Sequence, residues 1–137
     1  MSLAQADGAA FANTSHRMLV VDDDVGICRF VRRVAEQLGF TVETVSSPRD
    51  AIDAARRLEP SVIVLDLAMP EMDGIEVMRQ LAAAGCTARI VLTTGFDAFY
   101  LEAARKIGEL TGIHVITTLQ KPLRSAALRN AMLGAAA

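Results

Sequence analysis

SVIVLDLAMPEMDG, residues 61–74, is the stretch on which the fold depends. Four consecutive apolar residues run directly into the carboxylate of Asp66, and a turn containing Pro and Asp-Gly follows. A short apolar run bounded by turn signals predicts a strand that is buried on both faces, as in the middle of a parallel sheet. We therefore expect Asp66 at the carboxyl edge of that sheet, where open α/β folds bind their ligands.

Strand and helix patterns alternate on both sides of this stretch. The apolar periodicity predicts strands at 18–21, 40–45, 62–66, 89–94 and 113–118, and helices at 25–38, 48–58, 75–82, 97–110 and 124–133. Five strand–helix units with short connections predict an α/β fold, a doubly wound five-stranded parallel sheet with helices on both faces. The flavodoxin-like strand order 2-1-3-4-5 would place the first and third strands side by side.

Composition excludes several classes of partner. The 137 residues fit one domain, and the net charge of -2 provides no basic surface for nucleic acid and no polybasic patch for a membrane. The two cysteines, Cys28 and Cys86, are too far apart in sequence for a metal-binding motif, which is typical of a reducing compartment. Without a signal peptide or a spanning segment, we expect a cytoplasmic protein. We expect a flexible N-terminal tail at 1–16, one domain at 17–133 and a C-terminal tail at 134–137.

Polar side chains stand where the predicted strands end. They are Asp22 and Asp23 after the first strand, Asp66 after the third, Thr94 after the fourth and Lys121 after the fifth. A parallel sheet brings these ends to one edge, where clustered carboxylates are unfavourable unless a cation such as Mg²⁺ neutralises them or a proton is retained. A carboxylate beside Mg²⁺ is a competent nucleophile toward phosphorus, and Lys121 and Thr94 supply groups that can contact phosphoryl oxygens. This pattern predicts an aspartyl phosphate.

Four segments together resemble a known family. The four segments are VVDD (20–23), DLAMPEMDG (66–74), LTTG (92–95) and QKP (120–122). They closely resemble the CheY-like receiver domain of two-component response regulators, and the resemblance covers residues 17–133. It implies a flavodoxin-like signalling module that is not an enzyme. It also implies that Asp66 accepts a phosphoryl group from a sensor histidine kinase or a phosphotransfer protein.

The resemblance also implies roles for the other residues of this edge. The implied Mg²⁺ ligands are Asp22, Asp23, Asp66 and the main-chain carbonyl of Ala68. Thr94 and Lys121 are implied to contact the phosphoryl group.

In this family the signal leaves through the fourth helix, the fifth strand and the fifth helix, which bind an effector domain or a second copy. In this family, phosphorylation moves the threonine at the position of Thr94 inward and repositions an aromatic side chain three residues before the lysine. This chain has Thr118 at that second position. We therefore expect an atypical switch. The long, Ala-rich fourth helix is similar to that of receivers that precede cyclic-di-GMP phosphodiesterase domains.

Two other interpretations fit part of the sequence. In a haloacid-dehalogenase-like phosphatase, Asp22 would be the nucleophile and Asp24 the acid/base, but no acidic residue follows Lys121 and Asp66 would have no role. A receiver-like interaction module that is not phosphorylated would lack part of the acidic site, which here is complete. We interpret Asp24 as a helix cap and Asp73-Gly74 as a turn.

Overall fold

A computed structural model describes residues 16–69, 73–95 and 98–136, with side chains described at all of these except 98–100. Its strands are β1 (Arg17–Val21), β2 (Thr41–Val45), β3 (Val62–Asp66), β4 (Arg89–Thr94) and β5 (His114–Gln120). Its helices are α1 (Val25–Gln37), α2 (Pro48–Leu58), α3 (Gly74–Ala83), α4 (Ala98–Thr111) and α5 (Ser125–Ala136). All strand pairs are parallel in the order β2-β1-β3-β4-β5, which confirms the predicted flavodoxin-like fold.

The sheet separates two apolar clusters. Alternate residues of the strands, such as Ile63 and Leu65, pack under α2, α3 and α4, while Val62 and Val64 pack under α1 and α5. Every residue of β3 is buried. The central strand is thus fixed from both faces, and Asp66 is its last residue.

The predicted helix starts are supported by side-chain caps. An Asp24 carboxylate oxygen accepts a hydrogen bond from the Ile27 N–H at 3.2 Å, as expected for the cap of α1. The Asp73-Gly74 pair, which we interpreted as a turn, begins a helix instead. Asp73 Oδ1 accepts from the Glu76 N–H at 2.9 Å and thereby caps α3.

The last two elements extend beyond their predicted ends. β5 continues two residues past Thr118 to Gln120, and an irregularity in its pairing with β4 near Ile90 shifts the register by one residue. α5 reaches Ala136, so the predicted tail at 134–137 is wrong at least as far as that residue. Alanine is the best helix former, and Ala135 is buried against the sheet, which explains why the exposed Gly134 does not end the helix.

Of the predicted tail at 1–16, residues 1–15 lie outside the described part of the chain. His16 is half-buried rather than solvated, and its ring meets that of Phe40 edge-on, with the centroids 5.9 Å apart. Among the described residues, no helix combines the length and apolarity that a membrane crossing requires.

Candidate functional site: an acidic cluster at the carboxyl edge

Three carboxylates from two neighbouring strands lie together. Asp22 and Asp23 follow β1, Asp66 ends β3, and one oxygen from each lies within 4.8 Å of the others. Asp22 and Asp66 are each 2% exposed, whereas Asp23 is open to solvent. The pairing of β1 with β3 produces this cluster because it sets the carboxyl ends of the two strands side by side.

Lys121 is the positive partner of the cluster. Its ammonium nitrogen Nζ lies 3.0 Å from Asp22 Oδ2 and 3.4 Å from Asp66 Oδ2, with 20% of the side chain exposed. The Lys121 main-chain N–H donates to the Thr94 carbonyl at 2.8 Å, which holds the residue against the end of β4. Burial alone would lower the pKa of Lys121, but the hydrogen bond to Asp22 and the charges of both carboxylates raise it overall. Lys121 therefore stays charged.

The environment of Asp66 disfavours its charged form. Burial, together with repulsion from Asp22, raises the pKa of Asp66 from 3.8 to about 6. A hydrogen bond from the Ala68 N–H to Asp66 Oδ1, 3.2 Å long, and the charge of Lys121 act in the opposite direction. At neutral pH the side chain is still mostly a carboxylate, but one that would gain from a further cation.

Asp22 is held from three directions. Its Oδ1 accepts from the Asp24 N–H at 2.8 Å, and its Oδ2 accepts from Lys121. The Cys28 thiol donates to the Asp22 carbonyl at 3.2 Å, and burial raises the pKa of this thiol to about 11. Asp24 serves as the cap of α1 rather than as a member of the cluster.

The remaining predicted residues lie around this cluster. Thr94 is fully buried at the end of β4, one position beyond Thr93, the register partner of Asp66. Ala68 is half-buried in the loop that follows β3. Thr118 is half-buried on β5 beside Leu92, three residues before Lys121.

A cavity lies at the opposite edge of the sheet. It measures about 530 Å³ and is lined partly by Arg17, Arg56 and the ends of α2 and α3. Arg17 donates to the carbonyls of Leu58 and Glu59 at 2.7 and 2.9 Å, so it neutralises the carboxyl end of α2. No member of the acidic cluster lines this cavity.

Sequence reasoning missed two residues near the cluster. Gly74 packs its Cα against the chain just after Asp66, and Cys28 bonds to the main chain of Asp22. The Asp-Gly pair at the end of DLAMPEMDG was a signal for Gly74, although we interpreted this pair as a turn. Nothing in the sequence distinguishes Cys28 from an ordinary core residue of an amphipathic helix.

The cluster fits a divalent cation with oxygen ligands. Three carboxylate oxygens within 4.8 Å of one another carry more negative charge than Lys121 alone balances, and one of them belongs to a solvated side chain. Mg²⁺ binds through one or two carboxylates while retaining several waters, which suits a site open on one side. The same edge offers a carboxylate nucleophile, an ammonium group and a threonine, the groups needed for phosphoryl transfer.

Residues 18–133 match the family described as the response regulator receiver domain. Among curated proteins, the chain is 39% identical over 82 residues to the response regulator MprA of Mycolicibacterium vanbaalenii, covering 60% of this chain and 36% of that protein. The chain therefore spans about a third of the length of the curated relatives it matches.

Solved structures give the same picture over more of the chain. A response regulator from Colwellia psychrerythraea is 33% identical, with a TM-score of 0.73 and coverage of 87% of this chain and 94% of that one. The beryllofluoride-activated NtrC4 receiver domain dimer is 25% identical, with a TM-score of 0.76 and the same two coverages.

Proposed function

We propose that this chain, which belongs to the response regulator receiver domain family, accepts a phosphoryl group on the carboxylate of Asp66. Receiver domains of response regulators are signalling modules of two-component systems. The donor would be the phosphohistidine of a sensor histidine kinase or of a phosphotransfer protein. The observation that carries this proposal is the position of Asp66, buried at the end of the central strand with Lys121 Nζ 3.4 Å from its Oδ2.

In this mechanism Asp66 reacts as the carboxylate. One of its oxygens forms a bond to phosphorus while the bond between phosphorus and the imidazole nitrogen of the donor breaks. The electron pair of the broken bond returns to the imidazole, which leaves as the product. A pKa of about 6 leaves most of the Asp66 side chain deprotonated near neutral pH, so the nucleophile is available.

The other residues of the edge would neutralise the charge of the transferred group. Asp22, Asp23, Asp66 and the Ala68 carbonyl would hold Mg²⁺, which when bound supplies positive charge beside the phosphoryl oxygens. Lys121, already in contact with two of these carboxylates, would exchange one contact for a phosphoryl oxygen. The hydroxyl of Thr94 would donate to another.

The signal would leave through the surface formed by α4, β5 and α5. Thr118 lies on β5 and is half-buried. Because its side chain is short, it offers a smaller contact area than an aromatic ring would at this position. We infer that this face binds an effector domain or a second copy, the latter in line with the dimeric NtrC4 receiver to which the chain is similar.

Incubation with Mg²⁺ and acetyl phosphate tests the proposal. We expect a mass increase of one phosphoryl group, sensitive to hydroxylamine as an acyl phosphate, in the wild type but not in Asp66→Asn. The matched control is Asp53→Asn, an exposed acid of α2 whose substitution should leave labelling unchanged. Omitting Mg²⁺ should abolish or greatly slow the reaction.

The same experiment separates this proposal from the phosphatase-like alternative. If the label persisted in Asp66→Asn and disappeared in Asp22→Asn, Asp22 would be the nucleophile and the proposal would be wrong. If no variant, including the wild type, took up a phosphoryl group from either acetyl phosphate or a phosphorylated kinase, the chain would be an interaction module alone.

A further inference from the structure

The first residue of α3 has no room for a side chain. A Cβ built on Gly74 would lie 2.6 Å from the Leu67 Cα and 2.8 Å from the Asp66 carbonyl oxygen. These distances are well below those that real Cβ atoms show, and the atoms they involve are main-chain atoms that cannot rotate away. The start of α3 therefore presses directly on the chain that leaves β3.

The main chain at Leu67 and Ala68, next to Gly74, makes hydrogen bonds that reach the acidic cluster. The Leu67 carbonyl accepts from the Gly74 N–H at 2.9 Å, and the Leu67 N–H donates to Thr93 at 2.9 Å. The next residue, Ala68, donates its N–H to Asp66 Oδ1 at 3.2 Å. Any shift of Leu67 is thus passed to the main chain of Ala68 and to the carboxylate orientation of Asp66.

We propose that Gly74 is a positioning residue for the metal and phosphoryl site. Its missing side chain lets α3 close onto Leu67, and this closure sets where the Ala68 N–H and carbonyl lie relative to Asp66. The inference rests on the proposed function, because the role concerns a Mg²⁺ ion held by Asp66 and Ala68. In this role Gly74 would contribute no ligand to the ion and would act through Leu67.

Gly74→Ala tests this, and Gly108→Ala is its matched control. A Cβ at Gly108 in α4 would also clash, at 2.8 Å from Val115 Cγ2, but there the neighbour is a side chain on β5. Both variants should lose stability, so stability does not separate them. The separating measurements are the Mg²⁺ dissociation constant and, in metal-free protein, the hydrogen exchange of the Ala68 amide followed by NMR.

For Gly74→Ala we expect Mg²⁺ binding to weaken about 10- to 100-fold, the range seen when residues that orient metal ligands are changed. The Ala68 amide should exchange faster and its resonance should move, because its bond to Asp66 is lost. In Gly108→Ala both measurements should match the wild type. Equal effects in the two variants, or unchanged Mg²⁺ binding in Gly74→Ala, would overturn the proposal.

The failure of this inference is distinct from failure of the proposed function. If the wild type bound no Mg²⁺ and took up no phosphoryl group, the proposed function would fail. If the wild type did both and Gly74→Ala matched it, only the role of Gly74 would fail.

A stabilised background keeps the test conclusive if Gly74→Ala folds poorly. Gly134→Ala adds a methyl group where no atom lies within 4 Å, and alanine favours the helix of α5. A second variant, Asp73→Ala, removes the cap of α3 without adding atoms, and should loosen the contact of Gly74 with Leu67. Asp73→Ala should speed exchange of the Ala68 amide and weaken Mg²⁺ binding a few-fold; wild-type values for both would also overturn the proposal.

Discussion

Replacing Asp66 with asparagine should stabilise the metal-free protein at neutral pH. The wild-type carboxyl has its pKa raised from 3.8 to about 6 by burial and by Asp22, so the folded state binds the proton more tightly than the unfolded state. For such a group the stability is highest when the carboxyl is protonated and falls as the pH rises from 3.8 to about 6. Asparagine is neutral throughout and does not incur this loss.

The magnitude follows from the size of the pKa change. A difference of this size corresponds to about 3 kcal/mol in the free energy of unfolding, and relaxation around the charge makes about 2 kcal/mol a realistic expectation. Close to pH 3.8 the two proteins should differ little, because most of the wild-type side chain is then protonated. The advantage of Asp66→Asn should grow up to about pH 6 and remain constant above it.

Urea unfolding in EDTA across this pH range measures the difference directly. Asp53→Asn is the matched control, because it makes the same substitution at an exposed position of α2. Adding Mg²⁺ should stabilise the wild type more than Asp66→Asn and so reduce the gap between them. The reasoning would be refuted if Asp66→Asn were less stable than the wild type near neutral pH, or if the gap did not change with pH.

Three further predictions concern other parts of the molecule. Iodoacetamide at mildly alkaline pH should modify Cys86 before Cys28 in the folded protein, because burial raises the pKa of Cys28 to about 11 and leaves it 5% exposed; peptide mass spectrometry would contradict this if Cys28 reacted first. Leu65→Ala should cost about 2–5 kcal/mol in urea unfolding because Leu65 is fully buried in the central strand, whereas a cost below about 1 kcal/mol would mean that the core is looser than described. Ser47→Ala should cost about 1 kcal/mol by removing the acceptor of the Arg49 N–H at the start of α2, and Ser47→Asp should retain most of that stability.

Much of the fold could be predicted because local and long-range signals agree. The run that ends at Asp66 is apolar on both faces, which is typical of a central parallel strand, and β3 is fully buried. The start of α1 was predicted from Asp24 as its capping residue, and the structure has this cap. The five-unit alternation of strands and helices then left few topologies, and the strand order 2-1-3-4-5 is confirmed.

The errors arose where tertiary contacts outweigh local patterns. The last helix, predicted at 124–133, continues to Ala136, because burial of Ala135 favours extension of α5. The Asp73-Gly74 pair has the composition of a turn, and only the distance to Leu67 shows why glycine is needed there.

The site was predictable in its membership but not in its contacts. A parallel sheet requires that Asp22, Asp66, Thr94 and Lys121 share an edge, so their residue types and positions were sufficient to bring them together. That Lys121 bridges two carboxylates depends on side-chain conformations, which sequence spacing does not specify. The thiol contact of Cys28 is of the same kind.

The near-complete burial of Asp66 also bears on what can reach it. With 2% of its surface exposed, this carboxylate presents a narrow solid angle to solution, so most random collisions with the protein meet other atoms first. In the proposed transfer, the phosphorus of the donor would have to enter from the solvent side of the cluster, where Asp23 is exposed. Such geometry favours small donors and groups that project from a partner, such as an imidazole on a helix, over phosphates recessed within bulky molecules. The rate of the proposed transfer would then depend on how well a partner aligns its group with the small exposed part of Asp66.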